Sequence, residues 1–378
     1  MDEQHNTELD RIAFQLNAHL PAGYQSEIRT EGERFHDGVL APRSLAARKV
    51  LIVGGAGYIG VELTSHLLES GYAVRSTDNF TYGFESTVYP FLRHPHFEFR
   101  RGDLCDPDHI ADALQGVTDV VILAGLVGDP ITKKYPQESD RVNLQGIQRL
   151  LDQLNGRKLN KVIFVSTCSN YGLIPEDAVA DEDYELKPLS LYAEAKVAAE
   201  KAVLDSRGAV DYHPTVLRFA TAFGISGRMR FDLSLSEFTR ELYVGNELLV
   251  YDPDTWRPYC HVQDFSEVIR RVLEAPVKKV SFGVFNAGGD ANNRTKRMMV
   301  EEIADFVPNA RIRYKEQGVD PRNYRVDFSR IRDTLHFEPR WTVTDGITEL
   351  VAALKQNLFH DLAAYRNFYG NYQIPALD

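Results

Sequence analysis

Tyr192 and Lys196 stand four residues apart in the stretch Leu191-Tyr-Ala-Glu-Ala-Lys196, a spacing that places both side chains on one face of a helix. A phenol beside an ammonium is a candidate proton carrier, because the neighbouring cation favours phenolate and draws the tyrosine pKa below its usual value of about 10. Such a tyrosine can take the proton of a substrate hydroxyl. Upstream, the apolar run Lys161 to Ser166 ends in Thr167-Cys-Ser-Asn-Tyr-Gly172. A threonine at the carboxyl end of that strand can hold the same hydroxyl in line. A Tyr-x-x-x-Lys pair by itself is common on solvated helices, so its meaning depends on the elements that position it.

The decisive element is Lys49 to Gly60, KVLIVGGAGYIG. Val50 to Val53 reads as a strand buried on both faces of a parallel sheet. Gly54 allows a tight turn, Gly57 lets a diphosphate approach the backbone, and Gly60 lets the following helix pack close to its strand. Tyr58, Ile59 and Gly60 open that helix, whose unpaired N–H groups and positive dipole end suit a diphosphate. The helix runs through Leu67 and Leu68, with Gly71 as its C′ residue. A second strand, Ala73 to Thr77, ends at Asp78, where a carboxylate can bind the ribose hydroxyls of adenosine and repel a 2′-phosphate. The spacing points to NAD rather than NADP. The positive charge of an oxidised nicotinamide would further favour phenolate at Tyr192, with hydride leaving the carbon that loses its hydroxyl proton.

Further strands follow in alternation with helices, which predicts a doubly wound parallel sheet with its ligand crevice beyond the strand carboxyl ends. The loop Asn79-Phe80-Thr-Tyr-Gly passes over the adenosine half. Strand His96 to Arg101 ends in Gly102-Asp103-Leu104, where Asp103 can receive the adenine amino group, although the acidic stretch around Asp106-Pro107 also suits a helix N-cap. Strand Thr118 to Leu123 runs into Ala124-Gly125, small residues that let the backbone lie beside ribose and nicotinamide. Strand Thr215 to Phe219 closes the nucleotide-binding part.

At this point the chain resembles the extended short-chain dehydrogenase/reductase family, in its nucleotide-sugar epimerase and dehydratase branch. The resemblance runs from about Lys49 to about Leu354 and is anchored on GGAGYIG, GDL, STCSNYG, YAEAK, LRFATAFG and RPYCHVQD. It implies a Rossmann-type α/β fold with a smaller C-terminal α/β substrate lobe, NAD as cofactor, a nucleotide-diphosphate sugar as substrate, a homodimer, and catalysis by Thr167, Tyr192 and Lys196. The dehydratases of that family carry Asp-Glu after the threonine and the decarboxylases a Glu at the second position; this chain has Cys168 and Ser169. What remains is hydride and proton transfer at one carbon, as in 4-epimerases and 4-ketoreductases, and Asp78 tilts the balance towards an epimerase on retained NAD. A cysteine at 168 has two uses, an inert buried thiol or an acid/base in C3 or C5 epimerisation. A non-catalytic dinucleotide-binding protein on the same fold is the remaining alternative; it predicts a lost Tyr/Lys pair, and the pair is intact.

For the substrate end the resemblance implies contacts from Thr221, where the family usually has asparagine, and from Arg257 and Arg322 near the nucleotide diphosphate. Arg230 joins them as a cation from a separate segment, since arginines clamp diphosphates by paired hydrogen bonds. Arg228 and Arg325 have a competing use as surface arginines paired with carboxylates. His261 reads as structural, in an HV-x-D turn whose Asp264 caps the next helix. The expected division is an N-terminal extension over 1–47, a Rossmann domain over 48–224 to which 261–287 returns, and a substrate lobe with C-terminal tail from 225–260 and 288–378. The lobe is expected to contain a helix over Thr295 to Phe306, strands over Arg311 to Tyr314 and Tyr324 to Asp327, and a helix over Thr344 to Leu354. The aromatic tail, Tyr365 to Tyr372, is expected to pack on the body or on a partner subunit.

Over 378 residues the composition is 43% hydrophobic and 26% charged, ordinary for a soluble protein. The net charge of −11 argues against nucleic acid or an anionic membrane as partner, while leaving room for a small anion at a local arginine cluster. Cys105, Cys168 and Cys260 have no metal-ligand spacing and fit a reducing compartment, and the lack of any apolar run of transmembrane length leads to a cytoplasmic expectation. Within the extension, Leu9, Ile12, Ala13, Leu16 and Leu20 fall at helical spacing; that segment is either a cap or subunit contact, or a lid carrying His36 or Arg43.

Overall fold

The computed structural model describes residues 48–316, 318, 322–362, 365, 367–375 and 377; the helix and the lid expected within 1–47 lie outside them. The strands in chain order are β1 (Lys49–Val53), β2 (Ala73–Asp78), β3 (Phe97–Arg101), β4 (Asp119–Ile122), β5 (Lys161–Thr167), β6 (His213–Phe219), β7 (Thr221–Phe223), β8 (Glu247–Tyr251), β9 (Trp256–His261), β10 (Gly283–Ala287), β11 (Asn293–Thr295) and β12 (Arg311–Lys315). Six helices matter for the site: α1 (Tyr58–Glu69), α2 (Leu191–Asp205), α3 (Ser234–Tyr243), α4 (Val262–Glu274), α5 (Lys296–Phe306) and α6 (Val343–Lys355).

Seven strands form one parallel sheet in the order β10-β6-β5-β4-β1-β2-β3. Its central strands β1 and β4 to β6 are rich in apolar residues because both faces are covered. Along β1, Val50 and Ile52 point into one apolar layer with Leu63 and Leu67 of α1 and Phe265 and Val268 of α4. Leu51 and Val53 point into the other, with Leu150, Leu154 and Ala199 and Val203 of α2. The sheet reverses direction of growth between β1 and β4, so the crevice opens beside the β1 carboxyl end.

Smaller sheets, β11-β9-β7 and β12-β8, accompany α3, α5 and α6 around a separate apolar cluster that includes Phe223, Leu235, Met299 and Ile347. The helix predicted over Thr295 to Phe306 begins at Lys296 with the Thr295 hydroxyl accepting from Met298 N, and α6 opens on a capping box between Thr342 and Asp345. The strand expected over Tyr324 to Asp327 is absent as a ladder; isolated bridges pair Leu173 with Asn323 and Ala180 with Val326. The helical run before β5 is wound in two ways, π-helical over Asp140–Gly146 and α-helical over Ile147–Leu154. Among the described residues no helix is long and apolar enough to cross a membrane.

A buried ion pair fixes α2 against the sheet. Arg218 of β6 donates from Nε to Glu200 Oε1 at 3.0 Å, the Ser166 hydroxyl donates to Glu200 Oε2 at 2.9 Å, and both charged side chains are almost fully buried. Removing one partner leaves the other charge unpaired in the interior. Glu200→Ala is therefore expected to cost about 3–5 kcal/mol of stability in urea unfolding, and a loss under 1 kcal/mol would show that α2 does not depend on the pair.

Candidate active site

The glycine turn determines where the cleft can form. Gly54 adopts φ +91° and lies so close to β4 that a Cβ there would come within 2.7 Å of Ala124 N. A Cβ at Gly60 would collide with the Gly54 carbonyl, so α1 can start only where glycine stands. Gly57 is different: its Cβ would meet nothing closer than the Gly54 carbonyl at 3.2 Å. Its lack of a side chain leaves the helix N-terminus open to the cleft, where Gly57 caps α1 without a side-chain hydrogen bond. Asp78 braces this turn from β2, accepting from Ala56 N at 3.1 Å and Phe80 N at 2.8 Å. Burial raises the Asp78 pKa, and those backbone donors oppose the rise.

A cleft of about 720 Å³ runs from Asp78 past the glycine turn to the end of β5. Every residue assigned from the sequence lines it: Gly54, Gly57, Tyr58, Ile59, Gly60, Asp78, Asn79 and Phe80 at one end, then Asp103, Leu104, Leu123, Ala124, Gly125 and Phe219. Thr167, Tyr192 and Lys196 lie further along, with Thr221, Arg230, Arg257 and Arg322 beyond. Asp103 is not free for an adenine group on both oxygens, since it accepts from Cys105 N at 2.8 Å and Arg141 Nη2 at 2.9 Å. The helix N-cap in that acidic stretch is Asp106, whose Oδ1 accepts from Asp108 N and His109 N.

Tyr192 and Thr167 face each other in the cleft, and the threonine hydroxyl favours the ionised phenol. Thr167 also accepts from Ser169 N at 3.1 Å, which fixes its hydroxyl at the strand end. Lys196 lies on the same helical face, donating to the Val165 carbonyl at 2.8 Å over the Phe164 ring. The electrostatics differ from expectation. Burial raises the Tyr192 pKa, and the cation opposing it is Arg230 rather than Lys196. Burial lowers Lys196 to about 8, because the Val165 carbonyl and the Phe164 ring replace water without supplying a carboxylate.

The cations from separate segments converge on one loop. Arg230 pairs with Asp232, at 3.0 Å from Nε and 2.5 Å from Nη2, and reaches the Val127 carbonyl at 3.4 Å. Arg322 pairs with Asp129 at 3.0 Å. Arg257 donates to the Arg322 carbonyl and lies over the Tyr324 ring. Arg228 corrects the surface reading, being only 3% exposed. Three residues went unassigned from the sequence. Asp129 follows Gly128 and precedes Pro130, a helix-start signature that hid its place opposite Arg322. Ser169 and Tyr324 share a hydrogen bond of 3.2 Å within the cleft; only the position of Ser169 two residues after Thr167 hinted at this.

Cys168 is turned away from the cleft. Its thiol donates to the Arg218 carbonyl at 3.2 Å, and burial pushes its pKa up, so an inert thiol is the use that fits. His261 is fully buried, stacked on Trp341 at 4.3 Å and bonded to Glu349. Its Nδ1 accepts from Gln263 N, making His261 itself the cap of α4. Asp264, expected there, instead accepts from the Arg340 and Trp341 amides.

The model of the NAD dependent epimerase/dehydratase family matches residues 50–288, more than half of the chain. The chain belongs to that family. Among its relatives, a dTDP-glucose 4,6-dehydratase of Streptomyces niveus is 29% identical over 82% of this chain and 93% of its own length. A UDP-glucose 4-epimerase of Rhizobium leguminosarum bv. trifolii is 26% identical over 80% and 96%. The structure of MoeE5 in complex with UDP-glucuronic acid and NAD superposes with a TM-score of 0.71 at 26% identity, covering 82% of this chain and 99% of that one. The family spans several reactions, so the distinction between them rests on the side chains of the site.

The depressed pKa of Lys196 has a measurable consequence. In the folded protein its charge is lost as pH rises through about 8, whereas in the unfolded chain it persists to about 10.4. Between those values the unfolded state binds more protons, so this group makes stability rise with pH. Urea unfolding of the ligand-free protein and Lys196→Met, compared from pH 7 to 10.5, should show the unsubstituted protein gaining on the variant above pH 8. A constant difference across that range would mean that the ammonium is not desolvated.

Proposed function

We propose that this chain is a nucleotide-sugar 4-epimerase that oxidises and re-reduces one carbon on retained NAD. The observation that carries the reading is the turn after β5. Thr167 faces Tyr192, Cys168 is directed into the core, and Ser169 occupies the remaining place, so no carboxylate on that turn stands ready to remove a proton beside a carbonyl. The glycine turn, the open N-terminus of α1 and Asp78 fit a dinucleotide with a free ribose, which supports NAD over its 2′-phosphorylated form.

Bound NAD supplies the hydride acceptor and, on return, the donor. Thr167 holds the C4 hydroxyl in line while Tyr192 takes its proton, and Tyr192 returns a proton to the same oxygen after the keto sugar has presented its other face. Burial holds the phenol protonated against the pull of Arg230, and a positive nicotinamide would add to that pull towards the ionised form. Arg257 and Arg322 hold the diphosphate, with Arg322 exchanging the Asp129 carboxylate for phosphate oxygens.

Freshly purified protein, once denatured, should release close to one NAD per chain. Incubated with UDP- and dTDP-hexoses and no added cofactor, the native protein should interconvert C4 epimers, as read by proton NMR. Tyr192→Phe should slow that conversion by about 10²–10⁴-fold while still retaining NAD. Stoichiometric consumption of added NADPH with a keto sugar, or accumulation of a 4-keto-6-deoxy product, would replace this reading with a reductase or a dehydratase.

A further inference from the structure

Beyond α6 the chain turns back along the cleft. Phe368 packs on the Phe84 ring at 4.6 Å, and Tyr369 lies 6.3 Å from the same ring. The Tyr369 carbonyl accepts from Phe231 N at 2.7 Å, and the Gly370 carbonyl from Arg228 Nη2 at 3.3 Å. Asn371 donates to the Val127 carbonyl at 3.2 Å, the carbonyl that Arg230 also reaches. Ile374 donates to the Tyr135 hydroxyl and is buried with Leu126 and Ile131. One short stretch thus ties together the loop after Asp78, the Arg228–Asp232 segment and the loop after β4.

Among the buried polar atoms of this wall without a protein partner are the Tyr82 hydroxyl and Arg228 Nη1, with the Tyr372 hydroxyl a third. The Arg228 guanidinium lies over the rings of Tyr82 and Phe84 at 4.9 and 5.1 Å. Both residues line the cleft on the Asp78 side, and Arg228 acts on Asp78 through its charge. A charged donor sealed from water without an acceptor is costly, more so than a neutral group. A dinucleotide lying from Asp78 to the glycine turn carries the missing acceptors on its diphosphate. The wall is also placed to slow its departure, because the loop over the adenosine half must move before the dinucleotide can leave, and that loop is anchored through Phe84.

We propose that the C-terminal stretch Phe368–Ile374, with the Arg228–Asp232 segment it holds, is the outer wall of the dinucleotide site: Arg228 and Tyr82 contact the cofactor diphosphate, and the stretch retains the cofactor between turnovers. This rests on the NAD-retaining reading of the cleft and is independent of which sugar is converted. Retention is what a closed epimerase cycle needs, since a reduced cofactor that escapes leaves the sugar stranded as a ketone.

The test is cofactor release from the full chain without any sugar. The protein and its Phe368→Ala and Arg228→Ala variants are loaded with NADH and chased with excess NAD, and the loss of bound-NADH fluorescence gives the dissociation rate. Phe368 is 53% exposed, so its removal spares the core, and circular-dichroism melts check the fold of both variants. Release is expected to quicken by about tenfold or more in each, the factor that ~1.4 kcal/mol of lost binding supplies. Rates within twofold of the unsubstituted protein in both variants would overturn the proposal alone. An unsubstituted protein that neither carries nor binds the dinucleotide would overturn the proposed function with it.

Discussion

Close approach of backbone to backbone at Gly54 and Gly60 is the constraint on which the rest depends. The sheet is covered by helices on both faces through mainly apolar layers, so those helices must sit tightly on it, and the cleft opens at the strand carboxyl ends. Because Gly54 lies against Ala124 N and Gly60 against the Gly54 carbonyl, β1, β4 and α1 meet with no side chain between them. That contact opens the crevice beside the carboxyl end of β1 and aims the N-terminus of α1 into it. Asp78, at the end of the adjacent strand, then has no choice of neighbour: its carboxylate falls on the Ala56 and Phe80 amides. Thr167 is carried to the same level by β5, two strands away in the other direction.

The parts of this arrangement legible in the sequence were those with a local physical signature. Alternation of β-branched runs with 3.6-residue apolar periodicity exposed the parallel sheet, because both of its faces are covered and its strands need no polar alternation. Glycines at Gly54, Gly57 and Gly60, and the Tyr192/Lys196 spacing, located the cleft from one chain segment each. What escaped was set by contacts between distant segments. Asp129 reads as the first residue of a short helix, and only the fold brings it to Arg322. His261 reads as part of a turn, and only the packing of Trp341 and Glu349 around it makes its ring the cap of α4 in place of Asp264. Tyr324 was read as a strand residue, but its segment crosses other chain with single bridges and its hydroxyl goes to Ser169.

The reading of Tyr192 shows a different kind of limit. Spacing placed the Lys196 ammonium on the same helical face, and it is there. Sequence spacing does not report what each charge faces, however. Lys196 is directed down to the Val165 carbonyl and the Phe164 ring, while Arg230 arrives from a segment far along the chain and acts on the phenol. The field at a titratable group is a property of the assembled cleft.

The cations of the cleft also explain how an acidic protein can present a site suited to an anion. Arg230 is neutralised by Asp232 and Arg322 by Asp129, so neither buries a lone charge. The two pairs are held differently. Asp232 is largely enclosed, and although burial works against it, Arg230 keeps its carboxyl below the usual range. That pair lies against Gly370 and the shared Val127 carbonyl, which makes it a fixed part of the wall facing Tyr192. Asp129 reaches Arg322 at 3.0 Å with both side chains about a fifth exposed, and its other oxygen is buried with no partner. The Arg322 pair is thus the more exposed of the two, and the Arg230 pair is the more enclosed one, whose cation acts on the phenol.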